Sequence, residues 1–138
     1  MQHNDLTHKI ISCAYKVHNT LGFGFLESVY KKGMVIEFSQ KSLKVEDEKP
    51  LKVYYAGQVV GEFYVDLFIE DEIVVELKAV EKLGKIHEVQ LVNYLTALKK
   101  DIGLRINFGP TGVEVKRKYR YIGQDKQDQQ DVECLEKQ

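Results

Sequence analysis

Residues 64–79 read YVDLFIEDEIVVELKA, and the way this stretch can pair with itself decides the architecture. Two apolar runs flank the acidic triplet Glu70, Asp71 and Glu72, the pattern of two antiparallel strands joined by a short loop. Side chains alternate between faces along a strand, and residues opposite one another across a pair share a face. A three-residue loop sets Ile69 against Ile73, Leu67 against Val75 and Val65 against Leu77, which makes one wholly aliphatic face. The other face then pairs Phe68 with Val74, Asp66 with Glu76, and Tyr64 with Lys78. A two-residue loop would bring Asp66 opposite Leu77 and mix core with polar residues, so burial of one face selects against it.

Hydrophobic matching thus brings two carboxylates together with an ammonium one step along. Adjacent carboxylates repel each other. A hard divalent cation such as Mg²⁺ removes the conflict, since it takes one or two carboxylates together with waters and phosphate oxygens. A lysine beside it can orient a water or stabilise charge developing on phosphate. The plainer alternative is an amphipathic strand pair with a charged outer face, because structural ion pairs imitate sites.

The rest of the chain bounds the possibilities. Its 138 residues, 43% of them hydrophobic, suit one globular domain. No run of about 18 apolar residues occurs, so no membrane span is expected. The first residues, MQHNDLTHKII, lack a signal-peptide pattern, which makes the cytoplasm the expected location. Cys13 and Cys134 form no CxxC, which argues against zinc and against a disulfide framework. From Gly123 onward the sequence is polar and poor in core formers. This predicts a domain over 1–122 and a disordered or loosely held tail over 123–138. That tail holds two basic and five acidic residues, leaving the body with 18 basic against 16 acidic. Such a balance is not the strongly basic signature of a typical nucleic-acid binder. Lys116, Arg117, Lys118 and Arg120 form a local cluster, read either as a basic patch or as a charged, aggregation-resistant edge strand.

Around the hairpin the spacing predicts a first helix with Leu6, Ile10, Ala14, Val17 and Leu21 on one face. Gly22 and Gly24 punctuate the entry to a second helix over 26–40, whose buried face is expected from Leu26, Val29, Gly33 and Ile36. Within it Glu27 suits the positive end of the helix dipole and shares a face with Tyr30. A weak strand over 42–45 and a better one over 51–55 precede a long strand over 59–69. A third helix over 86–98 carries Gln90 and Tyr94 on one face, and an amide buried there would need a hydrogen-bond partner. Strands over 104–108 and 113–119 follow. The order α-α-β-β-β-β-α-β-β predicts a mixed sheet with helices packed on it, an α/β or α+β fold.

Asp66, followed by nine residues and then Glu76-Leu77-Lys78, resembles the motif of the PD-(D/E)xK nuclease superfamily. The segment from Gly24 to Tyr30 is similar to the GxxExxY signature of a family of small proteins assigned to that superfamily, and Gln90 to Tyr94 resembles the QxxxY motif of its RecB-like branch. The resemblance implies a restriction-endonuclease-like mixed sheet flanked by helices, with core order αβββαβ. It implies that Asp66, Glu76, the Leu77 backbone carbonyl and Glu27 serve Mg²⁺ or Mn²⁺, Glu27 directly or through water. Lys78 would position the attacking water, while Gln90, Tyr94 and Tyr30 would support the site or meet substrate. The usual proline before the aspartate is Val65 here.

Two classes of function follow. One is a metal-dependent nuclease acting on nucleic acid, DNA more than RNA. The other is a catalytically inert nucleic-acid-binding or protein-interaction module that keeps the fold. Open sheet edges leave room for a homodimer.

Overall fold

The computed structural model describes residues 2–120, so the tail expected over 123–138, with Cys134, lies outside the described residues. Three helices and five strands run in the order α1 (Gln2–Leu21), α2 (Glu27–Gln40), β1 (Val45–Tyr55), β2 (Gln58–Ile69), β3 (Ile73–Lys78), α3 (Lys85–Leu98), β4 (Ile102–Phe108) and β5 (Val113–Tyr119). The strands form one mixed sheet in their chain order. Only β3 and β4 are parallel, joined by the crossover through α3. This is an α+β fold consistent with a restriction-endonuclease-like domain.

Helices α1 and α2 cover one face of the sheet. Ile10, Ala14, Met34 and Phe38 meet Leu67, Ile73, Val75, Leu104 and Ile106 there in one buried cluster. Helix α3 covers the other face, with Leu91 and Leu95 packed on Phe68 and Val74. Gly103 makes that approach close, since a Cβ at this position would stand 2.9 Å from Leu91 Cδ1. None of the described helices is long and apolar enough to cross a membrane.

Two expectations need correction. The strong segment before the hairpin lies in one strand, β1, which takes only Val45 from the weak segment over 42–45, so three strands rather than four precede α3. Pro50 and the positive φ of Glu48 (57°) disguise its continuity, and both are tolerated because β1 is an edge strand. The buried stripe of α2 is Tyr30, Met34 and Phe38, while Leu26 and Ile36 are exposed. A stripe at i, i+4, i+8 with a tyrosine at its head buries more ring surface than the stripe through Leu26. Gly33 keeps a share of the interface, because a Cβ there would lie 3.2 Å from Val17 Cγ1 on α1.

The cluster of positive residues on β5 is dispersed by strand alternation. Arg117 turns toward α1 and donates to Thr7 Oγ1 at 3.1 Å. Lys118 turns toward α3 and is buried against Glu88 at 2.7 Å. Arg120 pairs with Asp101 at 3.3 Å. These residues do not make a basic patch.

Candidate active site

The three-residue loop forms as the hydrophobic pattern demands. Glu70 and Asp71 both take positive φ (55° and 56°), and the Glu72 N–H closes on the Ile69 carbonyl at 2.9 Å. The pairs Ile69–Ile73, Phe68–Val74 and Leu67–Val75 follow in the expected register. There the ladder stops. At the next step the Leu77 N–H donates to Asp66 Oδ2 at 2.8 Å, and the Asp66 N–H donates to Glu76 Oε2 at 3.2 Å. Two carboxylates have replaced two backbone carbonyls as acceptors, and β2 and β3 splay apart around them.

The splay also turns part of the hairpin. Val65 and Phe68 are three apart, so strict alternation would set them on opposite faces, yet both lie in the cluster under α3. Val65 therefore leaves the aliphatic face where matching with Leu77 would put it. The outer part of the β1–β2 hairpin, beyond Glu48 and Asp66, is rotated relative to the inner part. This is also where Glu48, placed opposite Asp66 by the flanking pairs Asp47–Leu67 and Lys49–Val65, has its positive φ.

Pairing of Glu76 with Arg105 and of Arg105 with Lys116 extends the row across the sheet. It reads Glu48, Asp66, Glu76, Arg105, Lys116, acids giving way to bases. Glu76 is only 7% exposed, and Arg105 is fully buried. Burial, and then repulsion from Asp66, push the Glu76 carboxyl up to about 7, against the pull of the Asp66 N–H, Arg105 and Lys78. Burial also raises Asp66, opposed by the Leu77 N–H and by Lys31 on α2. The Arg105 guanidinium is pushed down by burial and held up by Glu76, Asp66, Tyr94 and Glu27.

Lys78 ends β3 beside Asn107 and lines a cleft together with Gln90 and Tyr94 of α3. Tyr94 is raised by burial and then by Glu76, which ties the cleft to the carboxylates electrostatically. Gln90 is exposed, so its amide is not the buried group that needed a partner. Glu27 stands exposed in the first turn of α2, within electrostatic reach of Arg105. Among the described residues no group of three or more His, Cys, Asp or Glu side chains is close enough to hold a metal ion together. The carboxylates brought together are therefore two, Asp66 and Glu76. Tyr30 is fully buried, stacks on Phe108 at 4.4 Å, and donates its hydroxyl to the Gly22 carbonyl while accepting from the Phe25 N–H. Its work is to hold the α1–α2 turn from which Glu27 emerges.

A family model described as the PD-(D/E)XK nuclease superfamily matches residues 4–118. The chain belongs to this superfamily. The crystal structure of SSO0001 resembles this PD-(D/E)XK fold with a TM-score of 0.55 at 16% identity, over 80% of this chain. The chain spans 57% of that one, and at this identity the likeness is one of fold alone. No curated protein matches the chain.

Three residues of this PD-(D/E)XK domain escaped sequence reasoning. Arg105 is a lone charge inside LRINF, and its parity with Gly103 and Asn107 was the available signal. Asn107 is buried and grips Val80 through both its N–H and its carbonyl, at 2.9 and 2.8 Å, which fixes the backbone just after Lys78. Phe63 meets Tyr94 at 5.6 Å across the cleft, and only the rotation of the hairpin turns it that way.

Proposed function

We propose that the chain is a nuclease that hydrolyses phosphodiester bonds of nucleic acid, DNA before RNA, with Mg²⁺ or Mn²⁺ as cofactor. The observation that carries this reading is the interlocked pair of half-buried Asp66 and buried Glu76 beside Lys78. The donor set fits a hard divalent ion. Two carboxylates raised by burial, Glu76 also by repulsion from Asp66, are relieved by positive charge, and such ions complete their shell with water and substrate oxygens. Asp66, Glu76 and the Leu77 carbonyl would hold the ion, with Glu27 reaching it through water. When bound, the ion supplies positive charge against the phosphate.

The chain's own residues do the rest. Lys78, lining the cleft next to the pair, orients the attacking water and faces the charge that develops on phosphate. Gln90 and Tyr94 project from α3 into the same cleft and meet the nucleic-acid backbone. Gly24, Glu27 and Tyr30 at the α1–α2 turn support placing the chain in the GxxExxY family, with Tyr30 holding the turn. The test is cleavage of DNA with Mg²⁺ or Mn²⁺ by the wild-type chain and by Lys78→Ala. Loss of about a hundredfold or more supports the assignment. Cleavage unchanged by the substitution means the activity belongs to a contaminant.

One observation favours a second reading, an inert module that keeps the fold. Arg105 already sets a positive charge beside Glu76, and backbone N–H groups already bond both carboxylates. Salt-dependent DNA binding without cleavage in either metal would support that reading.

A further inference from the structure

We infer that the cleft between the outer β1–β2 hairpin and α3 holds an unpaired DNA strand, its bases stacked on Phe63 and Tyr54 and its backbone led toward Lys78. This rests on the nuclease reading and narrows its substrate to single-stranded DNA. The cleft has a volume of about 1070 Å³. That is at the upper limit of small-ligand clefts, roughly 300–1,000 Å³, so it has room for more than one small group. Lys78, Gln90 and Tyr94 line it together with the open rings of Tyr54, 62% exposed, and Phe63, 40% exposed, and Phe63 faces Tyr94 across it at 5.6 Å. Large rings left open beside a candidate site mark a surface that something covers.

Three features select the occupant. Among the described lining residues Lys78 is the only charged side chain, so the cleft favours an anion beside it and offers little to the many phosphates of a duplex. The ring faces of Tyr54 and Phe63 can stack only with bases whose own faces are free, which a paired helix hides. Gln90 and Asn93, three apart on α3, add amide groups that suit base edges or phosphate oxygens. The placement of Phe63 is itself built in. A Cβ at Gly61 would stand 3.0 Å from Phe63 Cε2, so the glycine leaves the room in which the ring lies.

Fluorescence anisotropy of a labelled oligothymidylate, measured in EDTA, reads binding apart from cleavage. The wild-type chain is expected to bind it at least tenfold more tightly than a blunt duplex of equal length. Phe63→Ala and Tyr54→Ala are each expected to lose roughly tenfold in affinity. Phe63→Leu, which keeps apolar volume for folding but has no ring face, is expected to lose nearly as much. Equal binding of duplex, variants that bind like the wild type, or a wild-type dimer in sedimentation that the variants convert to monomer would each overturn the inference. The last outcome would assign the cleft to a second copy of the chain. A parallel Mg²⁺ cleavage assay separates the two ideas. Ring-dependent binding without cleavage sinks only the nuclease reading, and cleavage with ring-independent binding sinks only this one.

Discussion

Glu76 is held in a place where its charge is costly, and that cost sets the pH behaviour of the metal-free protein. Its folded value of about 7 lies above the ordinary 4.5. A carboxyl raised on folding contributes stability that is complete below the unfolded value and is lost as pH rises through the folded one. The metal-free protein is therefore expected to lose about 3 kcal/mol between pH 4.5 and 7.5 at this pair, since a tenfold change in proton affinity is worth about 1.4 kcal/mol. Urea denaturation across that range measures it, and Glu76→Gln is expected to flatten the curve. Arg105 supplies a second prediction. Removing one member of a buried charge pair costs about 3–5 kcal/mol, because the other is left uncompensated. Arg105→Met is expected to cost that much at pH 8 and distinctly less at pH 5, where Glu76 can take up a proton. An equal cost at both pH values would mean that Arg105 serves packing rather than the carboxylates. Sequence reasoning found Asp66 and Glu76 because alternation across a three-residue loop forces them together. It could not find Arg105, since which strand lies beyond β3, and in what register, is fixed only by the crossover through α3.

At the scale of elements, the hairpin and α3 decide whether the site is assembled. The sheet side of α3 rests on Gly103, where an added Cβ would meet Leu91 Cδ1 at 2.9 Å, Leu91 Cγ at 3.3 Å and Leu95 Cδ1 at 3.3 Å. Gly103→Ala is expected to cost about 1–3 kcal/mol by overpacking. Since α3 carries Gln90 and Tyr94, the same change is expected to weaken DNA binding beyond what the loss of stability explains. Denaturation together with anisotropy at a temperature where the variant is fully folded checks both halves. The hairpin was legible where it obeys a simple rule. Its loop length and first three pairs follow from the period of two. It was not legible where the rule breaks, at Asp66 and Glu48, because side-chain carboxylates substituting for backbone acceptors leave no mark on the apolar pattern. Helix α2 shows the same limit in another form. Both its candidate stripes are apolar, and the choice of Tyr30, Met34 and Phe38 is made by the partners, Phe108 above all.

For the whole molecule, five elements spread over residues 27–108 converge on one site. Strands β2 and β3 supply the carboxylates, β4 the guanidinium, α3 the cleft wall, and α2 the outlying Glu27 and Lys31. The element types were legible because each has its own period. The superfamily was legible because Asp66, Glu76 and Lys78 fall on the right elements in the right order. A site of this kind couples ligand to fold. An ion that binds only the folded chain stabilises it by about 2.7 kcal/mol at one hundred times its dissociation constant. In a domain of this size that is a rise in Tm of roughly 10 °C. The ion competes with protons for Glu76, so its effect must grow with pH through the window below about 7. Thermal unfolding with and without Mn²⁺ is expected to show a large rise at pH 8, a small one at pH 5, and none at either pH in Asp66→Asn or Glu76→Gln. A rise of equal size in those variants would move the ion elsewhere on the molecule. No rise at pH 8 in the wild type would leave Arg105 as the charge that completes the pair, and the fold as a PD-(D/E)XK domain that has stopped cutting.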